Sequence, residues 1–174
     1  MSAVAASDCI GLWRRTLLVE ADGSRDTATD VTWLQGVTAF VDSRGFAGTL
    51  EDNGGVFEWH RAVDVEAPGP PDVGEMRWEG DTLVETGVHA DYVEHWVRDN
   101  VAPMPCWAVY LTGPDGGPGV LLRVGDRFGF AGAGQVVIGE VGSPEWACYV
   151  TGEDTVQAND VLWTIERREG ITEI

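Results

Sequence analysis

Apolar and polar residues alternate with a period of two over short stretches of the chain. No window of a dozen residues keeps the i, i+3, i+4, i+7 stripe of an amphipathic helix. Runs rich in Val, Trp, Phe, Tyr and Thr are separated by turn dipeptides such as Asp22-Gly23, Asn53-Gly54, Gly80-Asp81 and Asp115-Gly116. The pattern predicts strands over Leu12–Val19, Asp30–Gln35, Thr38–Asp42, Phe46–Leu50, Val56–Asp64, Glu75–Trp78, Thr82–Thr86 and Asp91–Arg98. Beyond a corner marked by Pro103 and Pro105, further strands are expected over Cys106–Leu111, Gly119–Val124, Arg127–Ala131, Gln135–Ile138, Ala147–Thr151 and Val161–Arg168. Strands spaced about ten residues apart with tight turns describe an antiparallel meander. Such a meander must close into a barrel or stack into a sandwich to remove its edges. We expect an all-β fold, an antiparallel meander closed into a β-barrel, with the chain 1–174 forming a single domain. The later strands either complete the barrel or form a small extension.

The alternation sorts side chains onto faces. Odd positions in the first strand are Trp13, Arg15, Leu17 and Val19; in Val56–Asp64 they are Phe57, Trp59, Arg61 and Val63. In Asp91–Arg98 the even positions are Tyr92, Glu94, Trp96 and Arg98. One face is therefore bulky and aromatic, yet it carries Arg61, Glu94 and Arg98. An unpaired charge in a filled core costs several kcal/mol, so a hollow barrel is the reading that accommodates them. Eight Trp in 174 residues point the same way, because barrels that bind flat or greasy ligands use Trp walls.

Composition narrows the function classes. The chain carries 29 acidic and 11 basic residues, a formal net charge of -18, and every basic residue is Arg. Such a charge disfavours phosphate backbones and anionic lipid, so neither nucleic acid nor membrane is an expected partner. Without Lys there is no Schiff-base chemistry. No apolar run approaches the roughly 20 residues of a membrane span. The start of the chain lacks a basic, apolar leader, and Cys9, Cys106 and Cys148 are few and unpatterned. Together these lead to an expectation of a cytoplasmic protein. Its oligomeric state stays open, a homodimer being one option.

Gly11-Leu12-Trp13 opens the first strand and Arg167-Arg168 ends the last. A Gly-x-Trp whose indole is capped by an Arg from the far end of the barrel resembles the lipocalin (calycin) closure. Ala90-Asp91-Tyr92 is similar to that family's Thr-Asp-Tyr motif. Trp33-Leu34-Gln35-Gly36, Glu85-Thr86-Gly87 and Tyr92-Val93-Glu94-His95-Trp96 resemble segments of the fungal Hri-type proteins, which are lipocalin-like and of unassigned function. The Hri-type pattern has no His at the place of His95. The resemblance implies a barrel fold and transfers no reaction.

Candidate chemistry centres on Trp59-His60-Arg61. Arg61 is expected to pair with Glu94 across the cavity or to clamp a ligand carboxylate. His60, beside Glu58 and Asp64, falls on the outward parity. His89 and His95 would lie roughly 20 Å apart along a strand, too far to share a metal with Asp91; no metal site is expected. The glycines of the 113–134 stretch read as hairpin tips, since the Lys and helix of a phosphate loop are missing. No Gly-x-Ser-x-Gly elbow occurs, and no cofactor is expected. The expected function is binding of a small apolar or amphipathic ligand in the cavity. Its contacts would be Trp33, Gln35, Phe40, Trp59, Arg61, Tyr92, Glu94, Trp96 and Arg98. The alternative is a cofactor-independent acid–base enzyme, an isomerase, cyclase or hydratase. There Glu94 would transfer the proton, Arg61 would steady an oxyanion and His60 would assist.

Overall fold

A computed structural model describes residues 3–28, 30–66 and 69–170. Positions 67 and 68 of the Pro-rich 66–73 crossing lie outside the described residues. The chain is nearly all antiparallel strand. In order these are β1 (Gly11–Val19), β2 (Arg25–Asp26), β3 (Thr32–Gln35), β4 (Ala39–Asp42), β5 (Phe46–Asp52), β6 (Val56–Asp64), β7 (Val73–Glu79), β8 (Thr82–Gly87) and β9 (Val93–Arg98). There follow β10 (Cys106–Thr112), β11 (Pro118–Val124), β12 (Arg127–Gly132), β13 (Gln135–Glu140), β14 (Tyr149–Thr151), β15 (Thr155–Ala158) and β16 (Val161–Gly170). Strands β1 and β3 to β9 pair in sequence, and β1 also pairs with β9, which closes an eight-stranded barrel; β2 is a short flap on β1. The expected meander and barrel closure are both present.

The later strands neither complete that barrel nor form a small extension. They make a second, seven-stranded half-barrel in the order β13-β12-β11-β10-β16-β15-β14. One face packs on the outside of the barrel, Leu34, Val41 and Val63 meeting Ala108, Val120 and Leu122. The other face has its own core around Trp107, Phe128, Phe130, Tyr149 and Trp163. The hairpin reading of the glycine-rich stretch holds at the β12–β13 turn. Ala133 and Gly134 sit at φ 52° and 75°, the left-handed pair that a two-residue hairpin matching strand twist demands.

The middle of the barrel lumen is packed rather than hollow. Trp13 stacks on Trp33 with ring centroids 5.7 Å apart, and Trp59 and Trp96 meet Trp33 edge-on at 5.8 and 5.6 Å. Phe40 and Phe57 are fully buried beside them. At one end the turn Ala6–Cys9 plugs the barrel with Val4 and Cys9, and Cys9 O accepts the Trp13 indole N–H at 2.7 Å. Burial pushes the Cys9 thiol up to about 12, which makes it a packed apolar group at neutral pH. The guanidinium over Trp13 is that of Arg98, 4.6 Å from the ring, and it also donates to Asp8 O. This corrects the assignment to Arg167-Arg168. The barrel ends at β9, so its last Arg is Arg98, while Arg167 lies over Tyr110 in the second sheet.

Candidate functional site at the open end of the barrel

The end of the barrel away from Trp13 is polar. β-Bulges help to build it. The register of β1 against β9 slips between Arg15 and Leu17, so Trp13 and Arg15 point inward and, past the slip, Leu18 rather than Leu17 pairs with Glu94. In β6 the register slips at Arg61 and Ala62: Gly48 faces Arg61 while Ala47 faces Val63. Val63 thereby turns outward into the contact with the second sheet. The inward assignments of Leu17, Val19 and Val63 by simple alternation are corrected by these two bulges.

The β4–β5 turn supplies the next part. Asp42 accepts from the Arg44 amide at 2.8 Å and from Arg44 Nε and Nη2 at 3.0 and 2.8 Å, so a local clip holds the guanidinium over the lumen. Arg44 sits 5.2 Å from the Phe46 ring and 5.7 Å from the Trp96 ring, and its Nη1 donates to Glu94 Oε1 at 3.4 Å. Burial pulls the Arg44 guanidinium down, but Asp42 and Glu94 more than offset this and hold it firmly charged.

Strands β8 and β9 bring two carboxyls together. Glu85 and Glu94 are direct cross-strand partners, and both are buried. Such partners have Cβ atoms about 5 Å apart. Gly74 makes room for Glu85: a Cβ there would stand 2.7 Å from Glu85 Cγ. Gly87 likewise admits the Tyr92 ring, which folds back so that its hydroxyl donates to Glu85 Oε2 at 2.6 Å. Burial, then the charge of Glu94, raises Glu85 well above the usual carboxylate range. Burial also raises Glu94, with Arg44 and Arg15 pulling back. Glu85 is raised the further of the two, and no guanidinium is bonded to it among the described residues.

Arg15 Nη1 approaches Glu94 Oε2 at 3.6 Å, an ion-pair distance longer than a hydrogen bond. Arg15 Nε, Glu94 Oε2 and Trp96 Nε1 find no hydrogen-bond partner among the described residues, although all three are buried. Above them opens a cleft of about 410 Å³ lined by Arg15, Leu18, Glu20, Ala21, Arg44, Arg61, Asp72, Ala90, Asp91, Tyr92 and Glu94. Below, a space of about 10 Å³ bordered by Trp33, Arg44, Trp59, Glu85 and Trp96 has room for about one water.

The expected contacts scatter accordingly. Tyr92 and Glu94 line the cleft. Arg61 reaches it too, but it lies 3.6 Å above Phe46 and donates to Asp64 and Asp72 at 3.1 and 3.0 Å, not to Glu94. The expected Arg61–Glu94 pair is corrected. The bulge at Ala62 and the nearer Asp64 and Asp72 hold Arg61, so Arg44 and Arg15 face Glu94 instead. For the acid–base alternative this leaves Arg44, not Arg61, as a guanidinium beside Glu94. Trp33, Phe40, Trp59 and Trp96 are core residues, and Gln35 is spent internally. It accepts from Trp33 Nε1 at 3.0 Å and donates to the carbonyls of Gly36, Thr38 and Ala39. Arg98 caps the opposite end. His60 faces outward, as its parity implied, with Glu51 at 2.6 Å and Glu58 at 3.0 Å. Its carboxylates are thus Glu51 and Glu58, and it stands apart from the cleft.

Four members of the site were missed as such: Arg15, Arg44, Asp72 and Glu85. Arg15 and Glu85 share inward parity with Trp13 and Leu83, which was the available signal. Nothing in the sequence announces that Glu85 lies opposite Glu94. Among the described residues no group of three or more His, Cys, Asp or Glu is placed to hold a metal ion, and no helix is long and apolar enough to cross a membrane.

No family model matches the chain, and no curated protein matches it either. Among solved structures the chain is similar to the uncharacterized protein YLR301w of Saccharomyces cerevisiae. The TM-score is 0.58 at 13% identity, over 92% of this chain and 99% of that one. At that identity the likeness shows the fold alone: an antiparallel β-barrel architecture shared nearly end to end.

Proposed function

We propose that this chain is a lipocalin-like barrel that binds a small amphipathic molecule at its open end, not in the depth of its lumen. Gly11-x-Trp13 with Arg98 over the indole supports the lipocalin-like reading. The observation that carries the binding reading is the cleft of about 410 Å³ itself, lined on one side by the charged residues Arg15, Arg44, Arg61 and Glu94. A ligand's polar end meets those charged groups, which fix its orientation, while the rest of the molecule is sheltered from water. Leu18, Ala21, Ala90 and the Tyr92 ring give the cleft apolar walls for the rest of such a molecule.

The test is titration of the intact protein with a panel of small amphipathic compounds, followed by Trp emission, since Trp96 and Trp59 lie just beneath the cleft. Saturable change is expected in the parent and should weaken at least tenfold in Leu18→Arg, which fills the cleft from β1. A panel without any saturating member, or equal responses from parent and variant, refutes the proposal.

A further inference from the structure

The open end of the barrel holds more space than the cleft alone. Next to the cleft lies a second space of about 180 Å³, walled by Pro70, Pro71, Val73 and Tyr92. A third, of about 300 Å³, is bordered by Pro70, Pro71 and Trp59. Among the described residues, the cleft and the second space share Arg61, Asp72, Ala90 and Tyr92. Arg61 and Asp72 border all three spaces. Side chains that line two neighbouring spaces mark the boundary between them.

Three of these side chains form a polar bar. Asp72 is its middle: Oδ2 accepts from Arg61 Nη2 at 3.0 Å, and Oδ1 lies 3.5 Å from the Tyr92 hydroxyl. Each member is also held from outside the bar. Arg61 lies 3.6 Å above Phe46 and donates to Asp64 at 3.1 Å. Tyr92 donates to Glu85 at 2.6 Å, and the Asp72 carbonyl accepts the Trp59 amide at 2.9 Å. The side chains of Arg61 and Asp72 stay 32% and 18% exposed, so water still reaches the ion pair.

We infer that the Tyr92–Asp72–Arg61 bar sets the length of the ligand: the cleft takes short-chain amphipathic molecules whose tail ends at the bar, and long-chain ones gain nothing from their extra carbons. Hydrocarbon laid across the bar would strip water from a guanidinium and a carboxylate and offer neither a hydrogen bond. That desolvation opposes the gain from burying the tail. Beyond the bar the walls are apolar again at Pro70, Pro71 and Val73. The tail is therefore stopped by the polar bar and not by a lack of apolar surface.

The inference rests on the binding reading above, and the dependence of affinity on chain length separates the two. Hexyl, octyl, decyl and dodecyl members of two series, alkylammoniums and alkanoates, are titrated into the intact protein at pH 7 below micelle-forming concentrations, with Trp emission as readout. Unobstructed burial lowers Kd about fourfold per methylene. In the parent the octyl and dodecyl values are expected to agree within about threefold. In Arg61→Ala, which removes one arm of the bar, dodecyl should bind at least tenfold more tightly than octyl. The head group is constant within a series, so any loss of head-group contact moves all members together and leaves the length dependence readable. Arg61→Ala should retain the parent's far-UV circular dichroism; should it fail to fold, Asp72→Ala carries the same test. If affinity in the parent climbs unbroken to dodecyl, or levels off equally in a folded bar variant, the inference is overturned while binding at the open end stands. If neither series saturates but other amphipathic compounds do, the inference again fails alone; if nothing saturates, both fail.

Discussion

At the scale of single residues, Glu85 couples the barrel to pH. Its carboxyl is buried, faces the Glu94 carboxylate across the strand pair, and holds its proton well above the ordinary range. An acid whose folded pKa is raised binds its proton more tightly folded than unfolded. Its favourable contribution is therefore complete below the unfolded value of about 4.3 and is lost as pH rises through the folded value. This is the reverse of an ion-paired carboxylate. Glu85→Gln keeps an oxygen for the Tyr92 hydroxyl and removes the charge. It should be more stable than the parent near pH 8 by about 1–2 kcal/mol, a rise of roughly 2–8 °C in Tm for a chain of this size. The advantage should shrink toward pH 5. Thermal melts of both proteins from pH 5 to 8 check this, and an advantage that does not vary with pH would contradict the upward shift of Glu85.

At the scale of elements, the bulge in β6 decides which way the strand faces. Ala62 is the extra residue, and it lets Arg61 look into the barrel mouth while Val63 looks out to the second sheet. The partner strand allows this only because Gly48 has no side chain: a Cβ there would stand 1.8 Å from His60 O and 2.8 Å from the Ala62 amide. Both are backbone atoms that cannot swing aside. Gly48→Ala should cost about 3 kcal/mol by forcing the bulge open. Urea denaturation should show a lower midpoint in the variant, and an unshifted midpoint would mean that the bulge tolerates a methyl group. The alternation in Val56–Asp64 was legible in the sequence, and it located Phe57 and Trp59 in the core, whereas Arg61 ends exposed at the mouth on Asp64 and Asp72. What it did not carry was the slip at Ala62, because a bulge is set by the partner strand and not by the bulged strand's own pattern.

At the scale of the whole molecule, the barrel is finished by the second sheet. Its outer wall at Leu34, Ala39, Val41 and Ala47 is entirely buried, and that burial comes from Ala108, Val120 and Leu122. Polar contacts pin the same interface. Glu169 Oε1 accepts the Thr38 and Ala39 amides at 2.8 and 3.0 Å, and the Tyr110 hydroxyl bonds Thr49 Oγ1 at 2.8 Å. Separation would expose a contiguous apolar face on each part. The two sheets should accordingly unfold together, with Trp emission and far-UV circular dichroism reporting one shared urea midpoint. Two resolved midpoints would show that each stands alone.

By itself the sequence determined the class of element, most strand positions, the meander, and the inward face of β9 with Glu94 and Trp96. Those features are local: period-two alternation and turn dipeptides follow from backbone geometry, which neighbouring residues impose on one another. Tertiary structure alone decided that the lumen is filled, since whether Trp side chains line a cavity or close it depends on how four strands aim them at one point. It also decided that the last seven strands build a separate sheet, that Arg98 caps Trp13, and that Glu94 meets Arg15 and Arg44 in place of Arg61. Partner choice across strands depends on register and bulges between segments distant in the chain, and long-range pairing of that kind leaves no periodic mark on either segment.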